Sequence, residues 1–201
     1  MEARQAATRE RIVASAHEQV AAGGYASASV QAVAARAGVA VGTVYRHFPS
    51  KAELVAEVFR TASERELAVV AEVTAGAGCP ATRRVAAGVE AFCRRALSAP
   101  TLAYAQLAEP VDPAVESERL RLRRGYRDVF EAVLADGVAS GELTPHDTTT
   151  VAAALVGALG EALVGPLAAG TDGHHDALVM TLVDFCLSSL PTTEGASAWS
   201  P

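Results

Sequence analysis

One lysine, one tryptophan and three cysteines are spread over 201 residues, and aromatic residues make up 5% of the chain. Each scarcity removes a class of answer. Cys79, Cys93 and Cys186 are odd in number, far apart and set among apolar neighbours. That excludes a disulfide framework and predicts reduced, buried thiols in a reducing compartment. No valine- or threonine-rich alternating run is bounded by turns, which argues against β-architectures. The opening "EARQAATRER" is polar and lacks the apolar centre of a signal peptide. The longest apolar run, Val151 to Leu167, is interrupted by Glu161 and Pro166 and is short for a membrane span. A cytoplasmic location without a membrane partner is therefore expected. There is also no glycine-rich phosphate loop, no nucleophile elbow and no cluster of ligands at metal-site spacing. His174, His175 and Asp176 are adjacent, but neighbouring histidines at a helix start point different ways, so no metal and no cofactor are expected.

What is present favours helices. Half the residues are hydrophobic, a fifth are charged, and roughly a fifth are alanine, the strongest helix former. The reading is all-α with a substantial core. The net charge of -6 is unevenly spread. Residues 1–60 carry Arg4, Arg9, Arg11, Arg36, Arg46, Lys51 and Arg60 against five acids. Their balance of +2 leaves -8 for the rest and hints that the first segment meets a polyanion.

Helix signals organise that first segment. A helix from about Thr8 to Ala22 places Ile12, Ala16 and Val20 on one stripe, and Gly23-Gly24 end it. Ser29 is the expected N-cap of a second helix, in which Val30, Val33, Ala34 and Ala37 face inward until Gly38. A third short helix, about Ala40 to His47, buries Val44 and Phe48 before Pro49 stops it. Ser50 and Glu53 form an S-x-x-E capping box for a fourth. Two short helices joined by a tight glycine turn, braced by a longer helix before them, make a helix-turn-helix.

The third helix is then the one that enters a major groove. Ala40, Val41 and Gly42 are small enough for close approach, and Thr43, Tyr45 and His47 can hydrogen-bond phosphate oxygens. Arg46 suits a guanine edge or a phosphate. Lys51, the only lysine, opens the fourth helix, where a cation opposes the helix dipole unless an anion lies nearby. A DNA phosphate is the anion expected. The stretches "GGY" and "AARAGVAVGTVYRHFPSKAEL" resemble the DNA-binding domain of TetR-family transcriptional regulators, and the resemblance runs from about Thr8 to Phe59. At Ala40 and Val41 the family often has hydroxyl, basic or polar residues. Base reading is therefore assigned to Arg46, Gln31, thymine-methyl contacts and DNA shape, with Ser29 beside them. Arg4 and Arg9 are read as a frayed end or a DNA-reaching arm.

Further along, the pattern stays helical without a motif. Helices are expected from the capping box to about Ala75, over Thr82–Leu97, Thr101–Glu109, and from Asp112 and Pro113 to Ser140-Gly141. Two more follow, one opened by Thr144, Pro145 and Asp147 and running through Leu163, the other from about Asp172 to Pro191. Residues 1–50 are thus read as the helix-turn-helix domain, 51–191 as a larger effector-binding and dimerisation domain, and 192–201 as a disordered tail carrying Trp199. "VAAALVGALGEALVG" is apolar nearly all round and needs cover on every side. A second copy supplies it through Ala153, Leu155, Gly157, Gly160, Leu178, Leu182 and Phe185 in a two-fold four-helix interface. The alternative is an intramolecular core.

The resemblance implies the same dimer and a repressor of a palindromic operator, released by a small, largely apolar effector. Phe92, Tyr104, Gln106, Tyr126, Phe130 and Glu161 are the candidate effector contacts, or else ordinary core residues. An acid inside an apolar helix needs a partner, so Glu161 is expected to meet an arginine, an effector amine or the dimer mate. "ERLRLRRGYRD" is read as a solvated face paired as Glu118–Arg121, Arg124–Asp128 and Arg127–Glu131. Two other functional classes stay open on residues alone: a protein adapter that has lost DNA binding, and an all-α enzyme without a recognisable motif.

Overall fold

A computed structural model describes residues 2–76, 78–170 and 175–192. Helices α1 (Glu2–Ser27), α2 (Val30–Ala37), α3 (Val41–His47), α4 (Lys51–Thr74) and α5 (Ala81–Ser98) are followed by α6 (Pro100–Leu107), α7 (Pro113–Ala139), α8 (Thr148–Ala169) and α9 (Asp176–Ser188). Among the described residues there is no strand, only an isolated bridge between Leu143 and Thr192. The fold is all-α, as composition requires. The expected start of the last helix at Asp172, and the tail beyond Thr192 with Trp199, lie outside the described residues.

Local chemistry sets the boundaries. Ser29 caps α2 by accepting from the Ala32 amide, and Gly38 ends it at φ 66°, where a side chain is disfavoured. The Ser50 hydroxyl accepts from the Glu53 amide at 3.1 Å and so starts α4. Pro100 and Pro113 occupy the first positions of α6 and α7, where a missing amide does no harm. Asp147 caps α8 through the Thr150 amide. Several boundaries differ from expectation, and the span of α1 runs on to Ser27 past a break in the helical backbone at Gly24. α1 begins at Glu2 rather than near Thr8, and α8 runs past Leu163 and Pro166 to Ala169. Pro166 removes a single ladder bond, to the carbonyl of Ala162, and Ala162 lies on an exposed face where water can take over.

The chain packs as two units. The first combines residues up to Glu64 with Ala99–Leu122. Its core joins Ile12, Ala16 and Val20 of α1, Val33 and Ala34 of α2, Val44 and Phe48, Leu54, Val55, Val58 and Phe59 of α4, and Ala105 and Val115. The segment Ala99–Leu122 thus packs with the helix-turn-helix although much sequence separates them. Arg9, read from sequence as a frayed end or an arm, is a strut instead. It pairs with Glu57 at 2.8 Å and lies over the Phe48 ring at 4.9 Å.

The second unit holds Arg65–Ser98 and the residues from Arg123 onward. α5 packs against α9 and α8. Along α8 a row of Ala152, Leu155, Leu159, Leu163 and Leu167 is buried while the opposite side is exposed. The all-round cover expected from sequence is therefore one-sided within the chain. α8 is long and apolar enough to cross a membrane by length and composition. Its leucine row, at about 1.5–3 kcal/mol per buried side chain, explains instead why it stays in this core. Cys93 and Cys186 are buried, whereas Cys79 is exposed in the loop before α5, which corrects the expectation for that residue. Burial pushes the Cys93 thiol up to about 12 and the Cys186 thiol to about 11, so neither forms thiolate readily. On α7, Arg121 pairs with Glu118 as expected, but Arg127 pairs with Asp128 rather than Glu131. Glu131 instead accepts from the Thr149 hydroxyl at 2.6 Å.

Two consequences follow for stability. Hydrogen bonding from Arg9, aided by Arg60, holds the Glu57 carboxyl at about 2 against an ordinary 4.5, despite the opposing effect of burial. A depressed folded-state value means the stabilisation is complete above pH 4.5 and is lost as pH falls toward 2. Glu57→Gln should flatten the acid limb of the unfolding free energy in urea titrations over that window, and an unchanged limb would remove Glu57 from its cause. In the second unit, a Cβ at Gly88 would lie 2.7 Å from Thr74 Cγ2 and 3.0 Å from Phe130 Cε1. Gly88→Ala should destabilise by about 1–3 kcal/mol, and adding Thr74→Ser, which deletes that methyl, should recover part of the loss in thermal unfolding.

Candidate nucleic-acid interface

The recognition surface is built on α3. Its anchors, Val44 and Phe48, are 1% and 4% exposed, so the short helix is held by two side chains one turn apart. That leaves Ala40, Gly42, Tyr45 and Arg46 on the exposed side. Tyr45 is 45% exposed, one of the large hydrophobic side chains left on the surface. A Cβ at Gly42 would meet no atom within 4 Å. The glycine is not demanded by packing inside the chain, which is the condition for backbone approach by an external surface. Thr43 and His47 are half-buried beside this side.

Electrostatics favour an anion here. Between Glu18 and Glu53 the sequence has no acidic residue, while it holds Arg36, Arg46, His47 and Lys51. Arg36 is engaged by Glu18. No ion pair involves Arg46 among the described residues, and its side chain is exposed. Gln31 is exposed at the start of α2, where its Oε1 accepts from the Ser29 hydroxyl at 3.1 Å. Ser29 is thus occupied twice, as cap and as donor.

Two assignments change. Val41, read as a small residue where the backbone approaches DNA, is partly buried and packs against the core of the first unit. Lys51 donates to the Ala26 carbonyl at 3.3 Å and stands 4.5 Å from the Tyr25 ring centroid. Its charge therefore has partners inside the unit, and the inference that it requires an outside phosphate no longer holds. A shallow groove of about 240 Å³ beside His47 and Phe48 is lined by Arg9, Arg60, Glu53, Glu57 and Glu118. Both of its arginines are engaged by Glu57, and its Glu118 pairs with Arg121.

The candidate effector residues are divided between the two units. Tyr104 and Gln106 belong to the first unit, where Gln106 donates to the Ser63 hydroxyl at 3.2 Å. Phe92, Tyr126, Phe130 and Glu161 belong to the second. There Phe92 and Tyr126 meet edge to face at 5.0 Å, and burial drives the Tyr126 hydroxyl far above its usual range. Phe130 is 1% exposed and packs at Gly88 as core. Glu161 is exposed on α8 and is in no ion pair among the described residues, so the arginine among its three expected partners is not met within the chain. It shares that side with Ala153 and Gly157, and Phe185 of α9 is 53% exposed. Gly160 and Leu178 are half-buried. Leu155 and Leu182, expected at a dimer contact, are 2% and 7% exposed within the chain itself. They hold the helices from inside because each helix turns that side toward its own core. Among the described residues no group of three or more His, Cys, Asp or Glu side chains is placed to hold a metal ion.

Sequence reasoning missed Glu109 and Arg119. The Glu109 carboxylate accepts from the Tyr25 and Ala26 amides at 2.7 and 3.0 Å, and the buried Arg119 binds the carbonyls of Ala105 and Glu109. The spacing of "EPVDP" signals a turn and contains nothing that points back to residue 25.

Comparison with known proteins places these features. Residues 12–58 match the family model described as bacterial regulatory proteins, tetR family. Residues 78–162 match the model described as a tetracyclin repressor-like C-terminal domain. Over 57 residues, 28% of this chain and 27% of the relative, it is 44% identical to the HTH-type transcriptional repressor KstR of Rhodococcus jostii. Over 75 residues it is 39% identical to KstR of Mycolicibacterium smegmatis, covering 37% of each. The matched segment thus spans well under half the length of these curated relatives. The fold is shared over much more of the chain. A FadR regulator from Bacillus subtilis, solved with stearoyl-CoA, superposes with TM-score 0.77 at 20% identity over 89% of this chain and 97% of that one. RolR in complex with resorcinol superposes with TM-score 0.71 at 20% identity over 100% and 98%. With both halves of the architecture matched by their own models, the chain belongs to the TetR family of bacterial regulatory proteins.

Proposed function

We propose that this protein is a dimeric transcriptional repressor that binds a palindromic operator and is released by a small, largely apolar effector. The observation that carries the reading is the exposed, acid-free side of α3 between its two buried anchors. In this reading residues 1–50 bind DNA and 51–191 bind the effector and the second subunit. Tyr45, Thr43 and His47 contact phosphates, and Arg46 and Gln31 reach base edges. Ala40 and Gly42 let the backbone approach, while Lys51 and Ser29 set the edges of the surface. One seven-residue helix reads few base pairs, so two copies are needed, with half-sites about 34–36 Å apart. The exposed side of α8 and α9, with Ala153, Gly157, Met180 and Phe185, is the apolar surface available for that pairing.

For the effector, Phe92 and Tyr126 are the retained candidates, since their rings meet and one hydroxyl is held in an apolar setting. The relatives solved with stearoyl-CoA and resorcinol support an effector with an apolar body. Such a ligand shifts the population away from DNA only by its differential affinity for the two states. A repressor of this kind acts in the cytoplasm.

Selection from random duplex DNA should recover a palindrome with the parent protein. Tyr45→Ala with Arg46→Ala should lose it, each removed contact weakening binding by about 1–3 kcal/mol. Affinity should also fall steeply with salt. No enrichment at low salt would sink the reading and bring the adapter alternative forward. Every lysine and arginine of the sequence lies at or before Arg127, so the carboxylate of Glu161 finds neither on α8 or α9 of a second copy. Glu161→Leu should therefore tighten the dimer in analytical ultracentrifugation; a weaker dimer would mean that Glu161 is paired across it.

A further inference from the structure

We propose that Glu109 is a positioning residue for DNA recognition, its carboxylate holding the turn between α1 and α2 and thereby setting the direction in which the helix-turn-helix leaves α1. The proposal rests on the DNA-binding reading above. Gly24 adopts φ 77° and ψ -176° inside the span of α1, a conformation that side-chain-bearing residues avoid. Beyond it the amides of Tyr25 and Ala26 both point at Glu109, with N–O distances of 2.7 Å to Oε2 and 3.0 Å to Oε1. Consecutive amides converging on one anion form strong, charge-assisted bonds. The approach is so close that a Cβ at Gly24 would sit 2.7 Å from Glu109 Oε2. Glycine is therefore required twice at this position, for its backbone angles and for the space.

The backbone that carries this carboxylate is itself held in place. Arg119 is 7% exposed, donates to the Ala105 carbonyl at 2.5 Å and to the Glu109 carbonyl, and pairs with Glu116 at 3.0 Å. The Glu109 amide donates to the Tyr104 carbonyl at 3.1 Å. On the far side of the turn, Lys51 binds the Ala26 carbonyl and covers the Tyr25 ring. The Ser29 amide, at the cap of α2, donates to Gln19 Oε1 at 3.0 Å. The residues that lead into α2 are thus gripped from α1, from α4 and from the segment after α6. α2 in turn packs on α3, so an error in this turn is carried to Tyr45 and Arg46. Glu109 and Arg119 lie within the span matched by the C-terminal domain model, and the turn they hold lies within the N-terminal one.

The sign of the effect separates positioning from simple electrostatics. Removing a carboxylate makes the protein less negative, so long-range charge alone would strengthen binding to DNA. Loss of the clamp does the opposite. Glu109→Gln keeps the shape but has one oxygen for two amides, and Glu109→Ala has none. With the operator selected by the parent, titrated well below the unfolding temperature, both should bind it about tenfold or more weakly. Their affinity for random duplex should be unchanged or higher. Amide exchange at Tyr25 and Ala26 should quicken in both, while that of the buried core of α3 and α4 stays slow. Folded variants that bind the operator as well as the parent overturn the proposal while leaving the repressor reading intact. A parent that selects no DNA overturns both. Should Glu109→Ala fail to fold, Glu109→Gln decides the question.

Discussion

The geometry of the first unit depends on one backbone turn. At Gly24 the chain leaves α1 with a positive φ, and the two amides that follow are taken up by the carboxylate of Glu109. A turn so short between two helices leaves orphan amides, and in a partly buried setting these must find an acceptor. An ionised carboxylate supplies two oxygens at once. It comes from the segment Ala99–Leu122, which packs with the residues up to Glu64 and shares their apolar core through Ala105 and Val115.

Arginine has a structural role throughout this unit and beyond it. Arg9 braces α1 against α4 through Glu57 and over Phe48, and Arg119 closes the carbonyls at the end of α6. Arg84 in the second unit donates to the Thr74 carbonyl at the end of α4 and pairs with Asp136. The planar guanidinium can serve a carbonyl and a carboxylate together, which an ammonium group does less well. Most cations are thus engaged inside the protein. The exposed Arg46 is in no ion pair among the described residues, and the neighbouring acid-free stretch leaves its charge uncompensated.

The second unit is organised by close approach and by one-sided burial. Gly88 lets α5 come near Thr74 and Phe130, and Gly137 lies against Ala81 and Leu143 in the same way. α8 commits its leucine row to this core and leaves alanines, glycines and Glu161 outside. A helix of such composition is apolar on both sides, so its sequence cannot say which side the chain keeps for itself.

Short-range chemistry is legible in the residues alone. The caps at Ser29, Gly38, Ser50 and Asp147, the proline starts of α6 and α7, and the buried stripe Ile12, Ala16, Val20 follow from forces acting within a few residues. Those local signals are what identify a helix-turn-helix and its exposed reading side. Tertiary structure alone decided the rest. It turned Arg9 from an arm into a strut, gave Lys51 an internal partner, moved Val41 toward the core and set Leu155 and Leu182 inside. It also joined Glu109 to residues 25 and 26. Each of these depends on side chains brought together from distant parts of the chain, and periodicity of 3.6 records which side of a helix is apolar but not what that side will meet.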